Sequence, residues 1–293
     1  MPAHRAADAL GASAGMRLRS LLFVPGDRPE RFAKAQASGA DAIILDLEDA
    51  VAPEHKDAAR AAVAAFLHAR APGGTVLVRI NPIDGDALAR DLAAARGADA
   101  LVLPKAEGAD TVRALAAHLG DAPVPVLPIA TETPAAIFQL GSYAQVAAHL
   151  VGLTWGAEDL PAAIGAATSR EVDGQYTPPY QTVRALALFA AHAAGVAAID
   201  TVYPALKDQA GLAAYAARAA RDGFTGMLAL HPAQVPIINA AFTPDAQAVA
   251  HARRIVDAFA AAPGAGALQV DGRMVDAPHL KQARRILAQA GAL

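Results

Sequence analysis

The sequence predicts an α/β fold, a (β/α)8 TIM barrel that carries a C-terminal helical lid extension. Three observations predict it: eight short aliphatic runs recur along the chain, each is almost continuously apolar, and helix-like stretches separate them. Continuous apolar character is typical of strands buried on both faces of a parallel sheet. Eight strand–helix repeats in about 230 residues fit a closed barrel better than an open doubly wound sheet. The runs are 21–25, 42–48, 75–81, 100–105, 124–132, 150–159, 196–204 and 226–232.

Helical patterns fill the segments between the first runs, and several of them stop at a glycine that can adopt a left-handed cap. The clearest are 30–40, 55–70, 85–98 and 109–120. Neither GxGxxG after the first run nor GxxxxGK[ST] anywhere is present, which disfavours the common nucleotide-binding folds.

Three segments are predicted. Residues 1–16 form a disordered leader, because they lack the continuous apolar segment of a signal peptide. Residues 17–241 form the barrel. Residues 242–293 form an extension of two helical pieces around the extended turn QVDGRMVDAP. An appendage at this position can act as a lid or lie on a neighbouring subunit.

Composition excludes several classes of partner. The 293 residues are 54% hydrophobic, and 25 basic and 28 acidic residues are well mixed, with a net charge of −3. No basic stripe points to nucleic acid or an anionic membrane, and no apolar run reaches the ~18 to 20 residues of a membrane helix. Small molecules or proteins are therefore the expected partners. The chain has no cysteine, which excludes disulfides and thiolate metal sites and fits a cytoplasmic location.

Polar side chains stand where nearly every run ends, and in a barrel these ends build the active site. Any one of them can be explained as a helix cap or a solvated loop residue. The collection is harder to explain in this way, because charges seldom face a barrel mouth unless they pair or bind an ion. The set is Asp27, Arg28, Asp46, Glu48, Asp49, Arg79, Asn81, Lys105, Glu132, Glu158, Asp159, Tyr203 and His231.

Glu132 and Asp159 are the candidate metal ligands. They close neighbouring runs, VLPIATE and LTWGAED, so their carboxylates can converge. Two hard oxygen ligands suit Mg²⁺, which usually takes one or two protein carboxylates and leaves positions for a substrate. Zinc is disfavoured, because thiolates and closely spaced histidine pairs are absent.

Arg79 is the candidate substrate-binding residue, since its planar fork can hold a carboxylate or pair with the neighbouring acids. The turn Gly156-Ala157-Glu158 offers backbone N–H groups to a second substrate oxygen. Lys105 can bind substrate or form a structural ion pair, and the two interpretations are about equally supported. A metal that chelates a 2-oxo acid polarises its carbonyl, so this set favours carbon–carbon bond making or breaking.

Eight motifs, in order along residues 17–290, carry a resemblance to a known family. They are RSLLFVPGDRPERF, GADAIILDLEDAVAPEHKDAAR, VRINP, LVLPKAE, GAEDL, DTVYP, HPAQ and GRMVDAP. The chain resembles the citrate lyase β-subunit-like branch of the HpcH/HpaI aldolase family, which also contains malyl-CoA and citramalyl-CoA lyases.

The resemblance implies a barrel that assembles as a homotrimer or hexamer. It also implies Mg²⁺-dependent cleavage of a 3-hydroxyacyl thioester, such as a citryl, malyl or citramalyl thioester, into a 2-oxo acid and an acyl thioester carried by CoA or a carrier protein. Glu132 and Asp159 match the metal ligands and Arg79 the substrate-contacting arginine. Glu48 matches a carboxylate near the metal's waters. Asp276 matches a lid acid that reaches a neighbouring subunit's site, and is the expected base.

Two alternatives remain open. One is a metal-dependent aldolase that acts on free 2-oxo acids without CoA, against which LDLEDAV and MVDAP count. The other is a non-catalytic lyase-like subunit, which is disfavoured because a disused site has no physical need to keep uncompensated acids together.

Overall fold

The computed structural model describes residues 16–71, 73–120 and 123–292. The predicted leader lies outside these residues except for Met16. The chain forms two compact units, one ending at Asn239 and one beginning at Ala240.

The first unit is built on one eight-stranded parallel sheet, and each of the eight predicted runs overlaps one of its strands. The strands follow the order β5-β4-β3-β2-β1-β8-β7-β6. Parallel bridges Val126 to Leu150 and Ile129 to Thr154 join β5 to β6, so the sheet closes into the predicted barrel. The strands are β1 (Ser20–Pro25), β2 (Ala42–Asp46), β3 (Thr75–Arg79), β4 (Ala100–Leu103), β5 (Val126–Pro128), β6 (Gly152–Thr154), β7 (Ala197–Asp200) and β8 (Gly226–Ala229).

Helices follow the strands, and the four clearest predicted stretches each contain one. Prolines at 29, 53 and 232 begin short 3-10 turns, where the fixed proline φ suits the start of a helix. The helices are α1 (Phe32–Gln36), α2 (Lys56–Ala69), α3 (Leu88–Ala94), α4 (Ala109–Leu119), α5 (Pro134–Gln139), α6 (Leu160–Ile164), α7 (Pro178–Ala194), α8 (Gln209–Asp222), α9 (Val235–Ala241), α10 (Ala246–Ala261) and α11 (Ala277–Gln289). A 3-10 segment, Leu140–His149, follows α5.

The barrel interior is filled by aliphatic side chains from the strands. Leu21, Ile44, Leu77 and Leu127 have no exposed surface, and they belong to one buried cluster. All five residues of β2 are buried, which explains why its sequence shows no alternation. Packing fills the barrel, so polar chemistry is restricted to its ends.

The second unit has its own small core. An antiparallel hairpin of β9 (Ala267–Val270) and β10 (Arg273–Asp276) stands where the sequence predicts an extended turn. Asp271 and Gly272 join the strands with φ of 51° and 76°, as a type I′ turn requires. Ile255 of α10, Val275 of β10 and Leu287 of α11 pack together. Among the described residues, no helix combines the length and hydropathy needed to cross a membrane.

Candidate active site

A cavity of about 230 Å³ opens at the carboxyl ends of the barrel strands. It brings together the residues predicted for substrate and metal binding, and Glu48 adjoins it through an ion pair to Arg79. Its lining residues are Phe23, Asp46, Asp49, Ala50, Arg79, Ile129, Glu132, Trp155, Gly156, Ala157, Glu158, Asp159, Thr201, Val202, Leu228 and Leu230.

A second cavity of the same size, about 230 Å³, lies among Tyr176, Arg184, Tyr215 and Arg218. It contains none of the predicted site residues. The guanidinium of Arg184 is already bound to buried Asp200 at 2.7 Å. The converging acids, rather than volume, therefore identify the first cavity as the candidate site.

Asp46 and Arg79 face each other in register on β2 and β3. Arg79 donates to the carboxylate of Asp46 from Nε at 2.7 Å and from Nη2 at 2.5 Å. Asp46 also accepts the backbone N–H groups of Glu48 and Ala50. Burial alone would lower the pKa of Arg79, but the hydrogen bonds and charge of Asp46 outweigh it and raise that pKa. Arg79 is thus a fixed cation, and Asp46 is its support.

Glu48 links Arg79 to Lys105. Its Oε1 accepts from Nζ of Lys105 at 2.9 Å. Its Oε2 lies 2.9 Å from Nη1 of Arg79, an ion pair without hydrogen-bond alignment. Burial raises the pKa of Glu48 despite these two cations. Lys105 therefore forms the structural ion pair that was one of its two predicted roles.

Glu132 is the most perturbed acid of the site. Only 3% of it is exposed, and its Oε2 accepts the backbone N–H of Lys105 at 2.5 Å. Lys105 presents that N–H from a left-handed backbone with φ of 49°, which is uncommon for a residue other than glycine. Burial, with the charges of Asp159 and Glu48, raises the pKa of Glu132 to about 8. An ionised Glu132 is therefore costly here unless a cation joins it.

The donors available fit Mg²⁺. Glu132 and half-buried Asp159 line one cavity and supply hard oxygen atoms. Within the residues that the structure describes, no three His, Cys, Asp or Glu side chains form a metal-binding group. A metal held by these two carboxylates alone would keep coordination positions for water and substrate, as Mg²⁺ usually does.

The Gly156-Ala157-Glu158 turn differs from the prediction at its first residue. The N–H of Gly156 donates to Oγ1 of Thr131 at 3.1 Å, and that hydroxyl donates back to the carbonyl oxygen of Gly156. The N–H of Gly156 is therefore not free to bind substrate, and the residue instead leaves space for the side chain of Glu132. The N–H groups of Ala157 and Glu158 make no hydrogen bond within the described part of the chain, so they remain candidate donors to a substrate.

Some contributors were not identified from sequence. Nζ of Lys56 donates to the carbonyl oxygens of Leu47 and Glu48 at 2.7 Å and fixes the acidic loop after β2, residues 47–50, but its position at the start of a helix gave no signal. The apolar side of the cavity has no separate sequence signal, because its residues resemble the core residues of the strands. His231 caps the turn that follows it, which is the helix-cap explanation that the sequence offered for any single member of the polar set.

Asp276 lies in the second unit, at the start of α11. Its Oδ1 is 2.5 Å from Nδ1 of His279, and this hydrogen bond lowers the pKa of the Asp276 carboxyl. Asp276 is therefore ionised at neutral pH, which is the form that a general base requires.

Comparison with known proteins identifies the family. The model of the HpcH/HpaI aldolase/citrate lyase family matches residues 19–232. The chain belongs to this family. Family membership confirms the predicted resemblance, the barrel fold and the prediction of a lyase.

Relatives of this HpcH/HpaI family chain cover nearly its whole length. A citrate lyase subunit beta-like protein of Mycobacterium tuberculosis is 41% identical over 92% of this chain and 94% of its own. A (3S)-malyl-CoA thioesterase of Cereibacter sphaeroides is 37% identical over 94% and 95%. Protein CitE of M. tuberculosis, solved with magnesium, acetoacetate and coenzyme A, superposes with a TM-score of 0.79 at 39% identity over 93% and 98%. Magnesium, the predicted cofactor, is confirmed at the level of the family.

Replacing Gly156 by alanine is expected to weaken Mg²⁺ binding. A Cβ at this position would lie 2.8 Å from Cγ of Glu132, so the carboxylate must move. Disturbing the residues that position a metal ligand typically lowers metal affinity by about 10 to 100-fold. Calorimetry measures the Mg²⁺ affinity of the variant. Gly141→Ala is the control, because its added Cβ meets no atom within 4 Å. Equal affinities in both variants would contradict this role of Gly156.

The stabilisation of the folded protein by Mg²⁺ should depend on pH, because it depends on the ionisation of Glu132. Its folded pKa of about 8 exceeds the ordinary 4.5, so the metal-free protein loses stability as pH rises from about 4.5 to 8. Bound Mg²⁺ removes that loss by pairing with the ionised form. The rise in melting temperature on adding Mg²⁺ should therefore be larger at pH 8 than at pH 6, and Glu132→Gln should abolish the difference. A rise independent of pH in the unmodified protein would contradict the assignment.

Proposed function

We propose that the protein is a Mg²⁺-dependent carbon–carbon lyase that cleaves a 3-hydroxyacyl-CoA into a 2-oxo acid and an acyl-CoA, or catalyses the reverse condensation. One observation carries the proposal: the buried carboxyl group of Glu132 shares a cavity with Asp159 and with the cation Arg79. The coenzyme A in the solved CitE relative supports CoA as the thioester carrier.

Arg79 holds the substrate carboxylate. A guanidinium has five N–H groups, of which two donate to Asp46, while Nη1 lies 2.9 Å from Glu48 without a hydrogen bond. N–H groups that remain on Nη1 and Nη2 can bind one carboxylate side by side. Mg²⁺, when held by Glu132 and Asp159, supplies Lewis-acid polarisation of the substrate oxygen.

Asp276 is the proposed base. It removes the proton of the substrate hydroxyl, whose oxygen then forms the carbonyl of the 2-oxo acid. The bond between the hydroxyl-bearing carbon and the carbon next to the thioester breaks, and its electron pair forms the thioester enolate. Protonation of that enolate gives the acyl-CoA.

Replacing Asp276 by asparagine should reduce kcat by about 10² to 10⁴-fold, the typical contribution of general-base catalysis. Mg²⁺ affinity should change little, because Glu132 and Asp159 are intact. Asp257→Asn, at an exposed acid of the same unit, is the matched control. Full turnover in the Asp276 variant would show that another group is the base.

The proposal is tested by incubating the protein and Mg²⁺ with malyl-CoA, citramalyl-CoA and citryl-CoA. Release of 2-oxo acid that a chelator abolishes is the expected result. Activity that survives complete metal removal would contradict it. Cleavage of free hydroxy acids alone would favour the aldolase alternative, and no reaction with any substrate would favour a non-catalytic subunit.

Thioester hydrolysis is a second candidate, favoured by the relative named as a (3S)-malyl-CoA thioesterase. Hydrolysis releases free CoA and the intact hydroxy acid, whereas carbon–carbon cleavage releases a 2-oxo acid and leaves the thioester bond unbroken. Measuring thiol and 2-oxo acid in the same reaction separates the two activities.

Assembly and location complete the proposal. The family resemblance favours a homotrimer or hexamer, in which the second unit of one protomer acts as a lid on its neighbour. Light scattering tests the number of subunits. The cytoplasm, where CoA thioesters are abundant, is the proposed location, and the absence of cysteine fits it.

A further inference from the structure

The second cavity, which Tyr176, Arg184, Tyr215 and Arg218 line, has the opposite balance of charge to the active-site cavity. Two arginines and no acid are found among its described lining residues, whereas five acids and one arginine line the active-site cavity. The two cavities share no lining residue. A cavity of about 150 Å³ can hold benzene, so the second cavity, at about 230 Å³, has room for a small organic ligand.

The two arginines of this cavity differ in what they bind. Arg184 is compensated, because its guanidinium donates to Asp200 at 2.7 Å and to Asp222 at 3.0 Å. The side chain of Arg218 forms one hydrogen bond among the described residues, to the neutral amide oxygen of Gln175 at 3.3 Å. Arg218 therefore brings an uncompensated positive charge to the cavity wall.

A second uncompensated arginine, Arg170, borders the cavity. Its Nη2 donates to the hydroxyl of Tyr176 at 2.6 Å, and its Nη1 donates to the carbonyl oxygen of Gly174 at 3.0 Å. Both of these partners line the cavity and are uncharged. Asp173, an acid of the same loop, instead accepts hydrogen bonds from the backbone and side chain of Gln175.

The guanidiniums of Arg170 and Arg218 are held by one short segment. Arg170 bonds residues 174 and 176, and Arg218 bonds residue 175, so two like charges are fixed at the same cavity. Two fixed like charges repel each other unless an anion joins them. A guanidinium binds a carboxylate or a phosphate through two parallel N–H groups. The two uncompensated charges therefore match one doubly charged anion.

We propose that the second cavity is a binding site for a small, doubly charged anion, either a phosphate ester or a dicarboxylate. Arg170 and Arg218 bind its charged groups, and Arg184, which Asp200 fixes in place, adds a cationic wall. Binding at this site needs no Mg²⁺ and is independent of the reaction proposed for the active-site cavity.

Trp155, the only tryptophan of the chain, can report on this site. Its ring packs against the ring of Tyr176, with centroids 5.0 Å apart. Its Nε1 donates to the same Asp200 carboxylate that binds Arg184. An anion that bonds Arg170 changes the surroundings of Tyr176, and we expect the fluorescence of Trp155 to change with it.

The test measures anion binding by calorimetry and by Trp155 fluorescence, in protein freed of metal ions, at pH 8 and one fixed ionic strength. Without metal, the acids of the active-site cavity repel anions. Inorganic phosphate and succinate are the doubly charged probes, and acetate is the singly charged one. At least one dianion should bind with saturation and at least about 10-fold more tightly than acetate, because a hydrogen bond to a charged group is typically worth that much.

Arg218→Met and Arg170→Met should each lower the affinity for that dianion by at least about 10-fold, since each removes charged hydrogen-bond donors. Arg221→Met is the matched control. Arg221 lies on the same helix, α8, but its side chain is 74% exposed and it does not line the cavity. Its affinity should stay at that of the unmodified protein.

Binding of phosphate alone would assign the site to phosphate esters, and binding of succinate alone would assign it to dicarboxylates. Saturable binding of neither dianion would overturn the proposal, as would acetate binding as tightly as both. Dianion binding that Arg218→Met leaves unchanged, or that leaves Trp155 fluorescence unaltered, would place the anion elsewhere and overturn it too.

Discussion

Glu132→Gln should reduce kcat/KM for thioester cleavage by more than about 100-fold, because even supporting partners of metal ligands are typically worth about 10 to 100-fold. The amide has the shape of the carboxyl group but supplies no negative charge to Mg²⁺. Its loss of charge should not destabilise the metal-free fold, since Glu132 is 3% exposed and its pKa is raised to about 8. The variant should therefore be folded and inactive.

Steady-state kinetics at several Mg²⁺ concentrations measures this effect, and circular dichroism checks the fold. Glu171→Gln, at an exposed glutamate outside the cavity, is the control and should retain full activity. If the Glu132→Gln variant kept its rate at ordinary Mg²⁺ concentration, Glu132 would not be a metal ligand.

Arg79→Met should destabilise the protein by about 3 to 5 kcal/mol, the usual cost of leaving a buried acid without its partner. Asp46 has no exposed surface, and Arg79 is the cation that binds its carboxylate, whereas Glu48 would keep its ion pair with Lys105. Adding Asp46→Asn should recover part of the lost stability, since it removes the charge that is left without its partner. Denaturant unfolding of the single and double variants gives the free energies of unfolding.

Arg79→Lys separates catalysis from stability. Lysine keeps the charge but lacks the fork that binds Asp46 and a substrate carboxylate together. Turnover should fall by about 100-fold, a bidentate hydrogen-bonded pair being worth about 3 kcal/mol. Arg60→Met breaks a comparable buried pair, with Asp91 at 2.6 Å, outside the cavity. That variant should lose stability while its folded fraction keeps its kcat/KM. If both variants lost activity equally, Arg79 would be a structural residue only.

The fold could be predicted because each strand of the barrel is buried on both faces, which leaves a continuous apolar run for every strand. The position of Glu132 and Asp159 in one cavity could be predicted because both residues follow such runs at the same end of the barrel. Arg79 and Asp46 also follow from strand register, although the sequence left open whether Arg79 binds substrate or supports the acids. In the structure, the guanidinium of Arg79 already donates hydrogen bonds to Asp46 and forms an ion pair with Glu48.

Other features could not be predicted, because they depend on distances between segments that are remote in sequence. The left-handed backbone of Lys105, which directs an N–H at Glu132, has no signature in LVLPK. Gly156 resembles an ordinary loop glycine until its 2.8 Å approach to Glu132 is known. The apolar side of the cavity is built from strand-end residues that each resemble core, such as Leu228.

The central claim is that Glu132 and Asp159 hold the divalent metal, whereas Glu48 supports the site without holding it. Mn²⁺ binding to the substrate-free protein, followed by electron paramagnetic resonance, tests this most directly in Glu132→Ala, Asp159→Ala and Glu48→Ala. The account predicts that the first two variants lose Mn²⁺ binding and that Glu48→Ala weakens it to a smaller extent. Binding that survives in Glu132→Ala but is lost in Glu48→Ala would contradict the account and move the metal to the acidic loop after β2.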